Sequence, residues 1–346
     1  MDRVLTAMSG GVDSAVAAFL VAQAYSADGC AGATMYLAGD NLSDAEDAAA
    51  AARVIGMPFF TFDLKAAFRA DVMIPFAASY RCGDTPNPCV LCNRYIKFGK
   101  FIELARERGY NKIATGHYVR LSYNTPSRRF LISKGRDRTK DQSYFLYTLT
   151  QEQMSCVLFP LGDMTKDDVR RVAAENLLPS ASKGESQDIC FAPDGDYAAF
   201  IERMCGIKSE CGDFTDAAGN IIGRHRGIEH YTTGQRRGLG ISSREPLYVL
   251  SKDAATNRVV LGRNDDLFTK SLTAKRINII VCDKIDRQMR VTAKIRSRHT
   301  EQSAIVEQIS DDRIHVEFDE PQRAVTRGQS VVLYDGDIVV GGGVIE

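Results

Sequence analysis

A short, mostly apolar strand that ends in a glycine turn and passes directly into a helix is the feature that most constrains the fold. Residues 4–8 form the strand pattern, Ser9, Gly10 and Gly11 form the turn, and apolar residues recur at helical spacing from Val12 onward. This order of strand, turn and helix is the opening unit of a doubly wound α/β domain. Such a turn can hold an anion, because the backbone N–H groups and the dipole of the helix both favour negative charge.

Three further strand patterns alternate with helical segments along the first half of the chain. They cover residues 33–37, 58–62 and 112–116, and a helix is expected around residues 95–108. Strands that alternate with helices predict a parallel sheet covered on both faces. We therefore expect residues 1–195 to form a doubly wound parallel-sheet α/β domain.

Beyond residue 195 the pattern changes to short strands separated by turns. The strand patterns cover residues 246–250, 258–261, 290–295, 314–318 and 330–334. We predict two small β-rich or β-barrel domains, a central one at 196–271 and a C-terminal one at 272–346. The second boundary is placed at 272 because residues 262–270 are polar and rich in turn formers.

The composition indicates an ordinary globular protein that works in a reducing compartment. Hydrophobic residues make up 44% of the chain, and 44 basic residues balance 44 acidic ones, so no overall positive charge marks a nucleic-acid binder. No uncharged apolar stretch is long enough to span a membrane, and the first residues leave no room for a targeting signal. Nine cysteines, an odd number at irregular spacing, argue against a secreted disulfide framework. We expect a cytoplasmic protein with no membrane partner.

The hexapeptide from Ser9 to Ser14 carries the first chemical signal. It lacks the lysine of the G-x-x-x-x-G-K-[ST] loop, so ordinary phosphoryl transfer is poorly supported. Its form resembles the pyrophosphate loop of N-type ATP pyrophosphatases, which implies that pyrophosphate leaves while AMP goes to an acceptor. Since the loop has no cationic side chain of its own, we expect Mg²⁺ on the triphosphate. A tight glycine turn without function is the alternative.

Four cysteines form the second chemical signal. Cys89 and Cys92 form a C-x-x-C pair at the entry to a helix, Cys82 precedes them, and Cys190 follows a polar segment at 180–184 that suits an active-site loop. A helix N-terminus is expected to lower the pKa of a thiol and raise its thiolate fraction. The pair alone fits zinc, a redox disulfide or an iron–sulfur cluster, and a structural metal site that recruits a distant ligand stays open.

Taken together, these motifs resemble those of bacterial tRNA-specific 2-thiouridylases, which make 2-thiouridine at the wobble position of tRNA. The similarity runs nearly end to end. It includes residues 9–14, 87–98, 114–118, 140–147, 188–191, 231–240, 246–249 and 341–343. The resemblance implies an adenine nucleotide alpha hydrolase-like first domain, ATP and Mg²⁺ as cofactors, and the anticodon stem-loop of tRNA as partner. A sulfur-donor protein or sulfide would supply the sulfur.

The same resemblance implies a role for individual residues. Cys190 would carry a persulfide and Cys92 would resolve it, and the β-rich part would hold the body of the tRNA. The residues implied to bind ATP are Ala7, Met8, Ser9, Gly10, Gly11, Val12, Asp13, Ser14, Met35 and Gly116. Those implied to contact tRNA are Asn87, Pro88, Cys89, His117, Lys140, Asp141, Gln142, Arg296, Arg298 and Gln329.

Cys89 departs from the family pattern, in which many members have an aspartate at this position. With Cys92 and Cys190 it gives three thiolates, and three cysteines can hold a [4Fe–4S] cluster that leaves one iron open for sulfide. We favour this cluster over a three-cysteine zinc site, a redox trio resolved by Cys82 or Cys89, and an inert substitution. The segment between Tyr36 and Ser43 is also shorter than is usual in the family.

Two other functions fit parts of the sequence. Another adenylating or amidating enzyme of the same loop family would use the loop without thiol chemistry. A tRNA-binding module with a structural metal would bind tRNA without releasing pyrophosphate.

Overall fold

A computed structural model describes residues 2–25, 29–39, 42–179, 189–192 and 194–346. The predicted active-site loop at 180–184 lies outside the described residues, and so do residues 185–188 before Ile189 and Cys190. None of the described helices is long and apolar enough to cross a membrane.

In the residues that the structure describes, the N-terminal unit contains seven strands and eight helices. The strands are β1 (Val4–Ala7), β2 (Cys30–Tyr36), β3 (Phe59–Asp63), β4 (Lys112–Ala114), β5 (Val119–Asn124), β6 (Arg129–Lys134) and β7 (Val157–Leu158). The helices are α1 (Val12–Tyr25), α2 (Leu42–Ile55), α3 (Lys65–Phe68), α4 (Ile74–Arg81), α5 (Pro88–Leu91), α6 (Phe101–Glu107), α7 (Gln151–Ser155) and α8 (Lys166–Glu175). Two π-helical stretches, Arg69–Met73 and Cys92–Lys100, connect α3 to α4 and α5 to α6, and a 3₁₀ turn covers Ser143–Phe145.

Five of these strands form one parallel sheet in the order β3-β2-β1-β4-β7. Side chains of α1, α2 and α8 pack into the hydrophobic core on one side, and those of the helices between residues 64 and 107 pack into a second core. Val4 and Leu5 of the central strand β1 are fully buried because both faces of the sheet are covered. The predicted doubly wound parallel sheet is confirmed.

The central unit is a small mixed sheet, with antiparallel and parallel strand pairs, and one helix. Its elements are α9 (Tyr197–Cys205), β8 (Gly212–Thr215), β9 (Ile221–His225), a 3₁₀ turn at Ile228–His230, β10 (Tyr248–Asp253) and β11 (Arg258–Gly262). The strand order is β10-β11-β8-β9. Phe214, Val249 and Val259 form the centre of its own core, so this part is a folded unit.

The C-terminal unit is a closed barrel of six strands. A 3₁₀ turn at Asp265–Leu267 leads into β12 (Phe268–Ile279), β13 (Met289–Lys294), β14 (Gln302–Ser310), β15 (Arg313–Arg323), β16 (Ser330–Asp335) and β17 (Ile338–Ile345). The order β12-β15-β14-β13-β16-β17 closes because β17 also pairs with β12. The β-rich second half of the chain is therefore confirmed, and it ends in a barrel.

Two features of this arrangement differ from the sequence-based expectation. Strand β12 begins at Phe268, so the last residues of the polar segment at 262–270 already belong to the barrel. The hairpin β5–β6 extends the barrel sheet, because Ser133 pairs with Ile338 and the Lys134 N–H donates to the Asp337 carbonyl at 2.9 Å. The barrel is thus joined to the N-terminal unit by a shared sheet as well as by packing.

Candidate active site

Hydrogen bonds made by Ser9 and Ser14 hold the loop between β1 and α1 in shape. The hydroxyl of Ser14 accepts from the Ser9 N–H at 3.0 Å and donates to the Gly11 carbonyl at 2.9 Å. Gly10 has φ +78°, and a Cβ there would lie 2.4 Å from the carbonyl oxygen of Asp44, so only glycine fits this turn. The loop therefore holds a fixed shape at the N-terminus of a helix, where an anion is favoured.

Asp13, in the first turn of α1, is held by two side chains from distant parts of the sequence. The Tyr118 hydroxyl donates to Asp13 Oδ1 at 2.6 Å, and Lys166 Nζ donates to Oδ1 at 2.7 Å and Oδ2 at 2.9 Å. The Lys166 side chain is only 7% exposed, whereas that of Asp13 is 32% exposed. A buried ammonium group therefore lies beside the loop that has no basic residue of its own.

A cleft opens at the carboxyl ends of β1, β2 and β4, where ligands bind in doubly wound sheets. It consists of a cavity of about 490 Å³ and an adjoining one of about 270 Å³ that share lining residues. Nine of the ten predicted ATP residues line it: Ala7, Met8, Ser9, Gly11, Val12, Asp13, Ser14, Met35 and Gly116. Gly10 does not line the cleft and forms the turn beneath it.

Gly116 lets two segments of the cleft wall approach closely. A Cβ on Gly116 would lie 2.9 Å from the carbonyl carbon of Asp13 and from the backbone nitrogen of Ser14. The loop and the end of β4 are thereby packed backbone to backbone, which any side chain at this position would disturb.

The three candidate thiols lie beside this cleft. Cys190 lines the larger cavity together with Ser9 and Asp13. Cys89 lies in α5, where its N–H donates to the Asn87 side chain at 3.1 Å, and Cys92 starts the following π-helical stretch. Cys92 is buried, whereas Cys89 and Cys190 are exposed. Cys89, Cys92 and Cys190 form no disulfide in the part of the chain that the structure describes.

The pKa values of the thiols contradict the expectation that a helix N-terminus lowers them. Burial raises the pKa of Cys92 to about 12; Lys97 opposes this rise, and the neighbouring Cys190 and Cys89 add to it. The surrounding protein also raises the pKa of Cys190, with a further contribution from Cys89, although Cys190 as a residue is exposed. The expected lowering by a helix N-terminus was wrong because α5 is a single turn of four residues and desolvation of the buried thiol dominates. The mutual influence of the three groups shows that they are neighbours.

The π-helical stretch brings Lys97 toward the face of Cys92. In an α-helix, residues five positions apart point about 140° away from each other. The wider turn of a π-helix, with hydrogen bonds from i to i+5, reduces this angle and brings such residues closer to one face. Lys97 lines both parts of the cleft and is a cation that lowers the pKa of Cys89 and Cys92.

A metal centre on the three thiols is not supported by this arrangement. Among the side chains that the structure describes, no three from His, Cys, Asp and Glu are placed to hold a metal ion. The predicted set of Cys89, Cys92 and Cys190 is close enough for electrostatic interaction but does not form a ligand set here.

The residues predicted to contact tRNA fall into two groups, and the first lies at the cleft. Lys140 and Gln142 line the larger cavity, and the Gln142 side chain accepts from the Tyr118 N–H at 3.0 Å. His117 lines the smaller cavity but is 7% exposed, and burial lowers its pKa well below the usual value, with Lys97 adding to the effect. Asp141 accepts from the Ser143 hydroxyl at 2.8 Å and from the Gly135 N–H at 3.1 Å. Pro88 is buried in α5.

The second group lies on the barrel and is partly engaged with the protein itself. Arg296 donates to Thr326 Oγ1 at 2.9 Å and to the Ala324 carbonyl. Gln329 donates to the carbonyl of Thr85 at 2.7 Å, and Arg298 is exposed. These three residues do not line the cleft.

Lys166 was missed by the sequence analysis, and so were the roles of Lys97 and Tyr118. Lys166 is the first residue of α8, and its neighbour Thr165 forms a capping box with Asp168. The capping pattern marks the start of a helix but says nothing about which loop the next side chain meets. Only the packing of α8 against α1 brings Lys166 to Asp13.

Fold and site together define an α/β nucleotide-binding protein with thiols at the rim of its cleft and two β-units behind it. Three family descriptions match the chain in order: a tRNA methyl transferase HUP domain at 2–194, a tRNA methyl transferase PRC-barrel domain at 198–263 and an aminomethyltransferase beta-barrel domain at 269–345.

Curated relatives match the chain along its whole length. It is 46% identical to tRNA-specific 2-thiouridylase MnmA 2 of Thermoanaerobacter sp. (strain X514), covering 100% of this chain and 98% of the relative. It is 45% identical to the MnmA protein of Acetivibrio thermocellus, covering 99% of each, and 44% identical to that of Clostridioides difficile (strain 630), covering 99% of this chain and 98% of the relative. The chain belongs to the tRNA-specific 2-thiouridylase family.

Proposed function

We propose that this protein is a tRNA 2-thiouridylase, a sulfurtransferase that converts ATP to AMP and pyrophosphate. One observation carries the proposal: Cys190 lines the same cavity as Ser9, Asp13 and Lys166. A nucleotide on the loop and a sulfur on the thiol would therefore reach the same carbonyl group of the substrate within a single cleft. The full-length similarity to proteins named tRNA-specific 2-thiouridylase supports this reading.

The first step activates the base. The uracil O2 attacks the α-phosphorus of ATP, the bond to the β-phosphate oxygen breaks, and pyrophosphate leaves. The loop and Lys166 offer the positive field that the departing pyrophosphate needs. Because the target base is stacked in the anticodon, it must leave its stack to reach the cleft.

The second step exchanges oxygen for sulfur. The outer sulfur of a Cys190 persulfide adds to C2, and the bond from C2 to the adenylated oxygen breaks, so AMP leaves. Cys92 then attacks Cys190 Sγ, which breaks the sulfur–sulfur bond and leaves 2-thiouridine and a Cys92–Cys190 disulfide. A thiol reductant supplies the two electrons that return both cysteines to the free state. Burial raises the pKa of Cys92, and Lys97 opposes that rise, so Lys97 favours the thiolate that this step requires.

Among the cofactors, ATP and Mg²⁺ are compatible with the residues present. The carboxylate of Asp13 is a hard oxygen donor on the cavity wall, and it could hold Mg²⁺ together with triphosphate oxygens. Bound Mg²⁺ would supply charge neutralisation for the leaving pyrophosphate. Because the three thiols do not form a ligand set in the described structure, we propose the persulfide route in place of the cluster.

The partners follow from the same chemistry. The substrate would be the anticodon stem-loop of tRNA, with Lys140, Gln142 and exposed arginines such as Arg298 as candidate contacts to its phosphates. A sulfur-donor protein that itself carries a persulfide would pass its outer sulfur to the exposed Cys190 and keep a free thiol. We place the reaction in the cytoplasm because it requires ATP and reduced thiols.

The test is a thiolation assay on unmodified tRNA with ATP, Mg²⁺ and a sulfur source, in which 2-thiouridine is measured by mass spectrometry of nucleosides. We expect the wild type and Cys211→Ser to form it, because Cys211 is exposed and outside the cleft. Cys190→Ser and Cys92→Ser should release pyrophosphate but form no free 2-thiouridine.

Two results would contradict the proposal. If wild type and Cys92→Ser release pyrophosphate equally well and neither forms 2-thiouridine, the protein would be an adenylating enzyme without thiol chemistry. Binding of tRNA with no release of pyrophosphate from ATP would indicate a binding module.

A further inference from the structure

The segment of residues 82–87 connects α4 to the helix that carries the reactive thiols. It begins after Arg81, the last residue of α4, and ends at Asn87, whose side chain accepts the N–H of Cys89. Cys92 follows one turn later as the first residue of the π-helical stretch. The position of the 82–87 segment therefore sets the start and direction of the thiol-bearing helix.

A lysine of the central unit holds this segment from one side. Lys252, on β10, is 8% exposed, and its Nζ donates to the carbonyls of Tyr231 at 2.9 Å and Asp84 at 3.3 Å. Nζ also lies 5.3 Å from the centre of the Tyr80 ring in α4. The ammonium group thus joins the central unit to the end of α4 and to the 82–87 segment.

The environment of Lys252 is unusual for a structural side chain. Burial lowers the pKa of Lys252 to about 8, and the carboxylates of Asp84 and Glu229 oppose this shift. One carboxylate oxygen of each acid, Asp84 Oδ1 and Glu229 Oε2, is buried without a hydrogen bond. A buried charge is costly, and an apolar side chain would pack here without that cost.

The barrel holds the same segment from the other side. Gln329 Nε2 donates to the Thr85 carbonyl at 2.7 Å, and the Thr85 N–H donates to the Arg327 carbonyl at 2.8 Å. Arg327 Nε lies 3.5 Å from Asp84 Oδ1. Gly328 has φ +85°, and a Cβ there would lie 2.8 Å from the Cβ of Asp84, so the two backbones are in close contact.

We propose that Lys252 and Gln329 are positioning residues that fix the 82–87 segment, so that the two β-units set the orientation of the thiol-bearing helix. Each β-unit contributes one polar side chain that ends on a backbone carbonyl of this segment. The β-units would then act on the chemistry as well as on the tRNA. This inference rests on the proposed function for its effect on turnover, but not for the effect on the segment itself.

The first experiment measures amide hydrogen exchange in the protein without tRNA. The variants are Lys252→Met, Lys252→Arg and Gln329→Ala, with Lys270→Met and Gln288→Ala as matched controls on exposed parts of the barrel. We expect exchange in peptides covering residues 82–92 to rise about tenfold in Lys252→Met and Gln329→Ala, the factor expected for one lost hydrogen bond. Lys252→Arg, which keeps the charge, should recover part of the protection, and the controls should not differ from wild type.

The second experiment measures thiolation kinetics with the same variants. Because the proposed effect is on orientation, kcat should fall by about tenfold while KM for tRNA changes by less than about twofold. A rise in KM for tRNA with unchanged exchange in the free protein would show that Gln329 is an RNA contact and would overturn its role here.

Faster exchange throughout the molecule, with no recovery in Lys252→Arg, would mean that Lys252 only supports the fold, and this too would overturn the proposal. If the wild type forms no 2-thiouridine, the proposed function fails. The exchange measurements would still decide whether the two side chains hold the segment.

Discussion

Lys166 Nζ lies 2.7 Å and 2.9 Å from the two carboxylate oxygens of Asp13, which places a buried cation on a loop that has no basic residue of its own. Mg²⁺ was expected on the triphosphate because the loop has no cationic side chain of its own. Lys166, from α8, pairs with Asp13 and lies on the cavity wall with Ser9 and Gly11. A residue in this place can stabilise the negative charge of a departing pyrophosphate.

Lys166→Met is therefore expected to lose tRNA-dependent pyrophosphate release by about a hundredfold, the usual effect of removing one group that stabilises transition-state charge. Arg171→Met, on the same helix but with a side chain that is 65% exposed, serves as control. Because Lys166 and Asp13 act as a pair, the double variant with Asp13→Ala should be hardly worse than either single variant. Additive losses would mean that the two residues work separately.

The reactivity of Cys92 provides a second prediction. With a pKa of about 12, its thiolate fraction at pH 7.5 is on the order of 10⁻⁴ or lower. In the nucleotide-free protein, iodoacetamide should therefore label the exposed Cys82 and Cys211 well before Cys92. Peptide mapping by mass spectrometry at several times checks the order. Equal rates for Cys92 and Cys211 would show that Cys92 is accessible and ionised at rest.

Local patterns were sufficient to predict the glycine turn after β1 and the parallel sheet. Ser9 to Ser14 follow a buried strand, and the sequence of strand, glycine turn and helix needs no information from elsewhere. The C-x-x-C pair is local, whereas the grouping of Cys190 with it rested on the resemblance to the family.

Long-range packing accounts for what the sequence did not reveal. Lys166 reaches Asp13 through the packing of two helices, and Lys97 faces Cys92 because the helix is π-helical over Cys92–Lys100. The pairing of Ser133 with Ile338 depends on a register that no local pattern encodes. The raised pKa of Cys92 follows from burial, which outweighs the effect of the short helix before it.

His117 provides a test of the electrostatics of the cleft. Its Nδ1 lies 2.7 Å from the Thr115 hydroxyl, and burial lowers its pKa well below 6.5. The imidazole should therefore stay neutral, so its ring resonances in NMR spectra should not titrate between pH 8 and pH 6. A midpoint near 6.5 would show that the ring is solvated.

The lowered pKa of His117 also makes the stability of the folded protein depend on pH. Below pH 6.5 the unfolded chain binds a proton at this histidine that the folded protein does not bind, so the free energy of unfolding falls as the pH falls toward the depressed folded-state pKa. In thermal melts, the stability advantage of wild type over His117→Asn should shrink on acidification from pH 7.5 to about pH 5. A constant difference over this range would contradict the prediction.

Removal of the barrel is expected to destabilise the N-terminal unit. Asn278 Nδ2 donates to the carbonyls of Tyr147 and Leu149 at 2.6 Å and 3.0 Å, and the Tyr144 hydroxyl donates to the Ser330 carbonyl at 2.8 Å. Tyr334 belongs to the main core of the N-terminal unit. A protein ending at residue 271 should therefore show a lower midpoint of thermal unfolding for its α/β part, measured by circular dichroism. An unchanged midpoint would mean that the shared core contributes little.

Cys89→Asp separates the persulfide route from a cluster. The Cys89 thiol is exposed, and in the persulfide route only Cys190 and Cys92 exchange sulfur. The backbone N–H of residue 89 would still donate to Asn87, and an acid in the first turn of a helix is favourable. Cys89→Asp should therefore fold as wild type does and form 2-thiouridine at a rate within about threefold of the wild type.

Anaerobic purification with iron analysis and visible spectroscopy completes this test. The persulfide route predicts that activity does not follow iron content, in wild type or in Cys89→Asp. The opposite outcome is that wild type binds iron with broad visible absorption and that Cys89→Asp loses both this absorption and thiolation with sulfide. That outcome would contradict the persulfide route and would mean that the three cysteines rearrange around a metal. Cys89→Ser distinguishes a metal ligand from an acid–base group at this position. A cluster requires a thiolate and would be lost in both Cys89→Asp and Cys89→Ser, whereas a role for Cys89 as an ionisable acid would leave Cys89→Asp active and Cys89→Ser impaired.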